Sequence, residues 1–248
     1  MKKILVFAAL AVAFTQCKKE TEQPVTPTPK PSNTNNQQFG AVPTDANGAL
    51  YAIRSVVYTD GFGSDSIDQV GPYLAWFGNS SQTDSVGVVE CNGTELDFRN
   101  PFNNAKYQWY LASYAGNGIG DDITWKVTGS TSFGSFTHVD ANPYPTAYNV
   151  TYPNHINVGQ SMNLKFTTTT CQGVIVRIQD GVGNVVEKIG VSGVNNMTFT
   201  AAELKPVVED IDAIGITIQP FDYKVKTLNG KRIYVTKCNS MNFEIGAN

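Results

Sequence analysis

Charge and catalytic side chains are scarce in this chain of 248 residues. Charged residues make up 16% of it, with 18 Lys plus Arg against 21 Asp plus Glu, and there are two histidines. No basic stripe is available to neutralise phosphates, which argues against a nucleic-acid partner. The sequence also has no GxSxG, HExxH, P-loop or dinucleotide-binding motif. These absences disfavour an enzyme and predict neither a cofactor nor a metal.

Long apolar runs are missing as well. The run Ile4–Phe14 has 11 residues, and nothing later in the chain is apolar for the ~20 residues that a membrane-spanning helix needs. Behind two lysines, a run of this size suits the apolar region of a signal peptide. We therefore predict that residues 1–16 are a lipoprotein signal peptide, cleaved before a lipid-anchored Cys17. The alternative is an ordinary secretory cut after Ala13.

The segment after the signal contains little that could be buried. Residues 17–40 are rich in Pro, Thr, Asn and Gln, a composition that predicts a disordered tether. The stretch "TQCKKE" resembles the cleavage site of Bacteroidota lipoproteins, and "KKE" resembles their export signals. The resemblance implies an outer-membrane lipoprotein with acyl chains, such as palmitate, on Cys17. It also implies exposure at the cell surface, with a periplasm-facing orientation as the alternative.

From residue 41 onward the pattern is that of an all-β protein. Short runs of β-branched and aromatic residues alternate with Gly, Asn, Asp and Pro. Asn92-Gly93 and Asn229-Gly230 predict tight hairpin turns, because Asn-Gly accepts the positive φ angles of a type I′ turn. Thr200 and Glu203 match a capping box and predict one short helix.

A polar stretch with two prolines, "DANPYPTAYN" (140–149), interrupts the strands, and Pro cannot continue a central strand. We therefore predict an N-terminal β-sandwich domain over 41–141 and a C-terminal one over 142–248. The stretches "VECNGTELDF", "ITWKVTGS" and "NLKFTTTT" resemble Bacteroidota cell-envelope lipoproteins of unassigned function. This resemblance implies two tandem immunoglobulin-like β-sandwich domains and says almost nothing about activity.

Three groups of side chains suggest chemistry only weakly. His138 and Asp140 lie two residues apart in a predicted strand and therefore share a face, although no motif supplies a third partner. Asp121-Asp122 offers half of the carboxylate pair that glycoside hydrolysis needs. The aspartates in "DGFGSDSID" (60–68) could bind Ca²⁺, but their spacing does not match an EF-hand loop. A strand end and two polar turns are the favoured interpretations.

Aromatic residues are the stronger indication of binding. In "KYQWYLASY", the two-residue period of a strand places Tyr110 and Tyr114 opposite Trp109, and in "PYLAWFGN" it places Trp76 opposite Phe77. We name Tyr110, Tyr114 and Trp76 as candidate ligand-binding residues, because exposed aromatic side chains stack on sugars and anchor protein partners. The alternative is that these aromatics pack the domains together.

Several residues are candidates for covalent modification. Ser66 and Ser85 stand in Asp-Ser-aliphatic triplets that resemble the Bacteroidota O-glycosylation motif. Cys171 and Cys238 belong to the same predicted domain, each just past a predicted strand. We predict a disulfide between them and a free, buried Cys91. The alternative is that all three thiols are reduced and packed singly.

These features predict a lipid-anchored, non-catalytic cell-envelope protein whose β-sandwich domains bind a glycan or a protein partner. A structural or assembly subunit of a surface complex is the alternative, and a hydrolase is the least favoured. A binding module predicts an exposed aromatic cluster. An assembly subunit predicts an apolar patch or an unpaired edge strand, and a hydrolase predicts a pocket with convergent carboxylates or histidine.

Overall fold

The computed structural model describes residues 45–58, 66–79, 82–99, 106–109, 120–208 and 213–247. These ranges are nearly all β-structure with one short helix, which confirms the all-β class. The first nine elements are β1 (Gly48–Tyr58), β2 (Ser66–Asn79), β3 (Gln82–Thr83), β4 (Val89–Cys91), β5 (Thr94–Glu95), β6 (Asp97–Arg99), β7 (Lys106–Trp109), β8 (Ile123–Val127) and β9 (Phe136–Asp140). The others are β10 (Ala147–Thr151), β11 (His155–Ile156), β12 (Met162–Thr168), β13 (Gly173–Asp180), β14 (Val185–Val191), β15 (Asn196–Phe199), α1 (Ala201–Val208), β16 (Ala213–Leu228) and β17 (Lys231–Ala247).

The strands form one large sheet and two small ones. The large sheet has the order β14-β13-β16-β17-β1-β2-β7-β6, with β11 beside β17 and β3 beside β2. β1 pairs in parallel with β17 and antiparallel with β2. The small sheets have the orders β10-β12-β15 and β5-β4-β8-β9.

Both small sheets pack on the same face of the large sheet, which gives a β-sandwich-like arrangement with two cores. The first core lies under the four-stranded sheet, around Trp125 and Phe77. The second core lies under the three-stranded sheet and α1, around Phe199 and Ile216. The opposite face of the large sheet carries a third apolar cluster, which we call the outer cluster and which includes Tyr51, Tyr234 and Cys238.

Strand β17 contributes to both cores because successive side chains point to opposite faces of a sheet. Its odd-numbered residues face the small sheets. Ile233 and Val235 belong to the first core, and Met241, Phe243 and Ile245 belong to the second. Between these two apolar groups lie Lys237 and Asn239, both buried. Along the inner face of β17, a polar segment therefore lies between two apolar segments.

The large sheet corrects the prediction of separate domains over 41–141 and 142–248. That boundary does separate the two small sheets, since β9 precedes it and β10 follows it. It does not divide the large sheet, where β1 lies hydrogen-bonded between β17 and β2. Val56 of β1 enters the second core and Ile233 of β17 enters the first. The physical reason is strand length. β16 and β17 have 16 and 17 residues, against the usual five or six, and can underlie both cores.

The helix α1 forms where the capping box predicts it. The Thr200 backbone N–H donates to the Glu203 carboxylate over 2.8 Å, and the Glu203 N–H donates to the Thr200 hydroxyl over 3.3 Å. Leu204 and Val207 pack into the second core. Within the part of the chain that the structure describes, no helix is long and apolar enough to cross a membrane.

Candidate functional site

A group of buried and half-buried polar residues separates the two cores. We call it the polar seam, and it consists of Arg54, Asp140, Lys237 and Asn239. Arg54 of β1 is the register partner of Asn239 in β17, and Lys237 is the residue two positions earlier on the same face. The Lys237 side chain is 3% exposed. Over the seam passes the segment 140–147, which links one small sheet to the other.

The Lys237 ammonium holds this linking segment in place. Its Nζ donates to three backbone carbonyl oxygens, those of Asp121 at 2.5 Å, Asp140 at 2.7 Å and Asn142 at 2.6 Å. An ammonium group has three donors, so all of them are used. Asn239 adds a bond from its Nδ2 to the Thr146 hydroxyl over 3.4 Å. The arrangement indicates a structural role, because it leaves no proton of Lys237 for chemistry.

Burial in the seam disfavours the charge on Lys237, whereas the surroundings of Asp140 favour its ionised form. Burial lowers the pKa of Lys237, although the neighbouring aspartates act in the opposite direction. Burial alone would raise the pKa of Asp140, but bonds from the Asn142 side chain and backbone, together with Lys237 and Lys224, lower it overall. The nearest Lys224 Nζ to Asp140 Oδ1 distance is 3.6 Å. Asp140 therefore stays charged and shields the buried ammonium.

His138 lies beside this group without completing a catalytic arrangement. Its Nε2 is buried and has no hydrogen-bond partner. Burial and the neighbouring lysines lower its pKa despite the charge of Asp140, so the ring is neutral near pH 7. Asp121 and Asp122 are exposed. Among the described residues there is no group of three or more His, Cys, Asp or Glu side chains placed to hold a metal ion.

The aromatic residues of β2 alternate as predicted, and both faces are largely covered. Tyr73 and Phe77 are buried in the first core, and Leu74 is buried in the outer cluster. Trp76 is half-buried against the outer cluster, so it packs there and is not an exposed platform. Tyr110 and Tyr114 lie outside the described residues.

The predicted modification and anchoring sites are placed only in part. Ser85 is exposed, as an acceptor of a glycan must be. Ser66 is the first residue of β2, and nothing is described of its side chain. Cys17 and the aspartate-rich loop 60–65 lie outside the described residues. O-glycosylation and lipidation therefore remain predictions from the sequence.

The predicted Cys171–Cys238 disulfide is wrong, and the alternative of three separate thiols is correct. All three cysteines in the folded part are free and buried. Cys171 lies in the second core, whereas Cys238 lies in the outer cluster on the other face of the large sheet. The Cys171 thiol donates to the Thr168 hydroxyl, and the Cys238 sulfur accepts from Gln219 Nε2 over 3.3 Å. The sheet itself lies between the two sulfurs.

We expect these thiols to be unreactive in the native protein. Burial raises the pKa of Cys91, Cys171 and Cys238, and the thiolate is the reactive form. In the soluble chain from Phe39 onward, iodoacetamide at pH 8 should modify none of them, and should modify all three after denaturation without a reductant. Mass spectrometry of peptides measures both results. A cross-linked peptide joining Cys171 and Cys238 before reduction would contradict this expectation.

Sequence reasoning missed an apolar edge of the large sheet. In the described part of the chain, β14 pairs only with β13, so no strand lies along its other edge. Four apolar side chains of this hairpin are exposed: Val182 at 81%, Val191 at 64%, Val185 at 47% and Ile189 at 39%. The last three alternate along β14 and so share a face.

Both charged side chains of β14 form ion pairs within the protein. Glu187 forms an ion pair with Arg177 on the adjacent strand. The Lys188 Nζ donates to the Thr198 carbonyl over 2.6 Å and lies 2.9 Å from the Glu203 carboxylate. Natural edge strands commonly carry free charges that repel other strands. On β14 neither charge is left free to do so.

The turn before β14 is held in a fixed conformation. One Asp180 carboxylate oxygen accepts from the backbone N–H groups of Val182 and Asn184, at 2.9 Å and 2.8 Å. The other accepts from the Asn184 side chain over 2.5 Å. Asp and Asn side chains stabilise turns through such local bonds. Val182 is thus presented to solvent by an ordered turn.

A second feature missed from the sequence is a groove on the three-stranded sheet. It has a volume of about 370 Å³ and is lined by Asn149, Lys165, Phe166, Thr167, Asn195 and Asn196. A β-bulge lies beside it, since the stretch from Tyr148 to Thr151 in β10 lies opposite the shorter stretch from Thr167 to Lys165 in β12. Asn149, within the bulge, has a φ of 52°. Asn tolerates this left-handed conformation better than most residues.

Comparisons with known proteins assign no family to this chain. No protein-family model matches it, and no curated protein matches it. One similar solved structure is described as "Structural insight into host cell surface retention of a 1.5-MDa bacterial ice-binding adhesin". The two are 12% identical, the alignment covers 76% of this chain and 63% of that chain, and the TM-score is 0.19. Such a low score supports no inference about function.

Proposed function

We propose that this protein is a lipid-anchored, non-catalytic protein of the cell envelope that binds a protein partner along β14, as a subunit of a surface assembly. The observation that carries the proposal is the open edge of β14 with its exposed apolar side chains. The anchor at Cys17 and the tether over 17–40 are the sequence predictions that place it at the membrane. The proposed partner contributes an extended strand.

Strand addition suits this edge on physical grounds. An incoming strand satisfies the unpaired backbone groups, and side-chain contacts on alternate positions give specificity. Val185, Ile189 and Val191 would then lie against the partner's side chains on one face. Exposed apolar clusters at a sheet edge are a recognised liability in proteins that have no partner for them.

The exposed apolar side chains of β14 also adjoin buried apolar residues of the large sheet. Ile189 is the register partner of Ile175, which is fully buried in the outer cluster. A strand added at β14 would therefore extend an existing apolar surface, and the edge would lose its contact with water. Burying apolar area in this way contributes roughly 25 cal/mol per Å² before the costs of association.

Photo-cross-linking tests the edge directly. A photoreactive amino acid at Val185, in the full-length protein in cells, should give a discrete adduct with a partner. The additional substitution Ile189→Lys should reduce that adduct at least tenfold, because an inserted charge must be desolvated between the strands. Quantitative immunoblotting measures the adduct, and its mass distinguishes a second copy of this chain from another protein.

The matched control uses an edge strand of the four-stranded sheet. β9 ends the four-stranded sheet and carries one exposed valine, Val139. A photoreactive residue at Val139 should give no discrete adduct, and Val139→Lys should leave the Val185 adduct unchanged. Equal cross-linking from both positions, or an adduct indifferent to Ile189→Lys, would reject the proposal. Unchanged far-UV circular dichroism of Ile189→Lys confirms that the sheet is intact.

Glycan binding is the second candidate. The half-buried Trp76 gives it little support. The groove beside Asn149 gives it more, because the groove gathers amide, hydroxyl and ammonium groups in one concave place.

A further inference from the structure

We propose that the groove lined by Asn149, Lys165, Phe166, Thr167, Asn195 and Asn196 is a binding site for an acidic saccharide, a sugar that carries a carboxylate or sulfate group. This site is separate from the β14 edge and does not depend on the proposed protein partner. It is an open groove with a volume of about 370 Å³.

Five of the six lining residues are polar, and three of their side chains are available to a ligand. In the described part of the chain, the side chains of Asn149, Lys165 and Thr167 make no hydrogen bond within the protein and Lys165 has no carboxylate partner. Asn196 Nδ2 donates to Asn195 Oδ1 over 2.8 Å, which orients this pair of amides. Amides and hydroxyls can each donate and accept, as the hydroxyl groups of a sugar do.

Charge selects the class of sugar. Lys165 is the one charged residue among those that line the groove, and no carboxylate is among them. The whole chain carries a formal charge of −3, so this groove departs from the overall balance. An ammonium with no internal partner favours an anionic group, and charge-assisted hydrogen bonds are stronger than neutral ones. We therefore infer a carboxylate or sulfate on the ligand.

An exposed aromatic residue is the strand neighbour of one lining residue. Tyr148 is 42% exposed and is the register partner of Thr167, so the two side chains lie on the same face of the sheet. The apolar face of a tyrosine ring can contact the C–H face of a sugar while its hydroxyl remains in water. The bulge that aims Asn149 into the groove adds a second indication, because β-bulges are over-represented beside functional sites.

The test uses the soluble chain from Phe39 onward and a panel of defined oligosaccharides. Tetragalacturonate, sialyllactose and lactose 3′-sulfate are the acidic probes. Tetragalactose is the neutral counterpart of the first, and lactose is the neutral counterpart of the other two. We expect at least one acidic probe to bind at least tenfold more tightly than its neutral counterpart, measured by calorimetry and NMR shift changes. Inorganic sulfate and acetate, which have the charge without the sugar, should bind much more weakly.

Variants of the groove identify the site. Lys165→Glu should reduce acidic-probe affinity at least tenfold, and Tyr148→Ala should reduce it severalfold. Asn149→Gly removes the side-chain amide, but glycine tolerates the positive φ of this position. It should therefore reduce affinity while the backbone of the bulge stays as it is. The matched control Lys205→Glu, on the exposed side of α1, should have no effect, and neither should Ile189→Lys. The proposal is overturned if no acidic probe exceeds its neutral counterpart, if sulfate alone binds equally, or if Lys165→Glu binds as well as the native chain.

Discussion

Replacing Lys237 with methionine should lower the free energy of unfolding by about 3–5 kcal/mol, the cost of removing one partner from a buried charged group. Methionine keeps the length and apolar character of the lysine stem. It removes the ammonium on which the carbonyl oxygens of Asp121, Asp140 and Asn142 depend. Buried acceptors without a donor are costly. Urea denaturation of the soluble chain from Phe39 onward measures the change.

The control is an exposed lysine in an ion pair. Lys126 lies 3.2 Å from the Glu90 carboxylate with its side chain 55% exposed, and such pairs contribute roughly 0–1 kcal/mol. Lys126→Met should therefore change stability by less than about 1 kcal/mol. Hydrogen exchange should also speed up at residues 141–146 in Lys237→Met alone. Equal effects of the two substitutions would show that Lys237 does not hold the linking segment.

Turns and helix caps were predictable from the sequence, because they depend on interactions between residues that are close in the chain. Asn92-Gly93 and Asn229-Gly230 form the expected turns, and all four residues have positive φ angles between 49° and 76°. The capping box at Thr200 formed because its bonds join residues three apart. In β8, Ile123, Trp125 and Val127 alternate with polar residues and are all buried, as the two-residue period of a strand requires.

Long-range pairing was not predictable in the same way. Gly48 pairs with Ile233, and no local signal relates two segments so far apart in the chain. The prolines at 143 and 145 were correctly taken as a break between strands, yet the break proved to be a crossing between small sheets over one large sheet. Lys237, in the stretch "VTKCNS", looks like any strand lysine until its neighbours across the seam are known.

The candidate sites could be predicted only in part, because they too depend on long-range strand pairing. The exposure of Val185 and Val191 follows from the position of β14 at the end of a sheet, which is a property of topology. The groove draws on three strands and their connections, and the direction of Asn149 depends on a bulge defined by pairing with β12. Aromatic alternation in β2 was readable, but the outer cluster that half-covers Trp76 was not.

The shared sheet leads to a prediction about cooperativity. Phe199 is fully buried in the second core, and Phe199→Ala should cost about 3–5 kcal/mol. All tryptophans of the chain, at positions 76, 109 and 125, precede residue 141, and Trp125 is fully buried in the first core, so its fluorescence reports on that core. Because β1, β16 and β17 contribute to both cores, loss of the second core should also unfold the first.

Urea unfolding followed by tryptophan fluorescence and by circular dichroism tests this coupling. We expect the two transitions to coincide in the native chain and to shift together in Phe199→Ala, by about 1–2 M urea for a slope of roughly 2–3 kcal/mol/M. Val158→Ala, at a side chain that is 52% exposed, serves as the control and should leave both midpoints in place. The opposite outcome is an unchanged fluorescence midpoint in Phe199→Ala together with two separate transitions in the dichroism curve. It would mean that the halves unfold separately. The strands common to both cores would then be too weak to couple them.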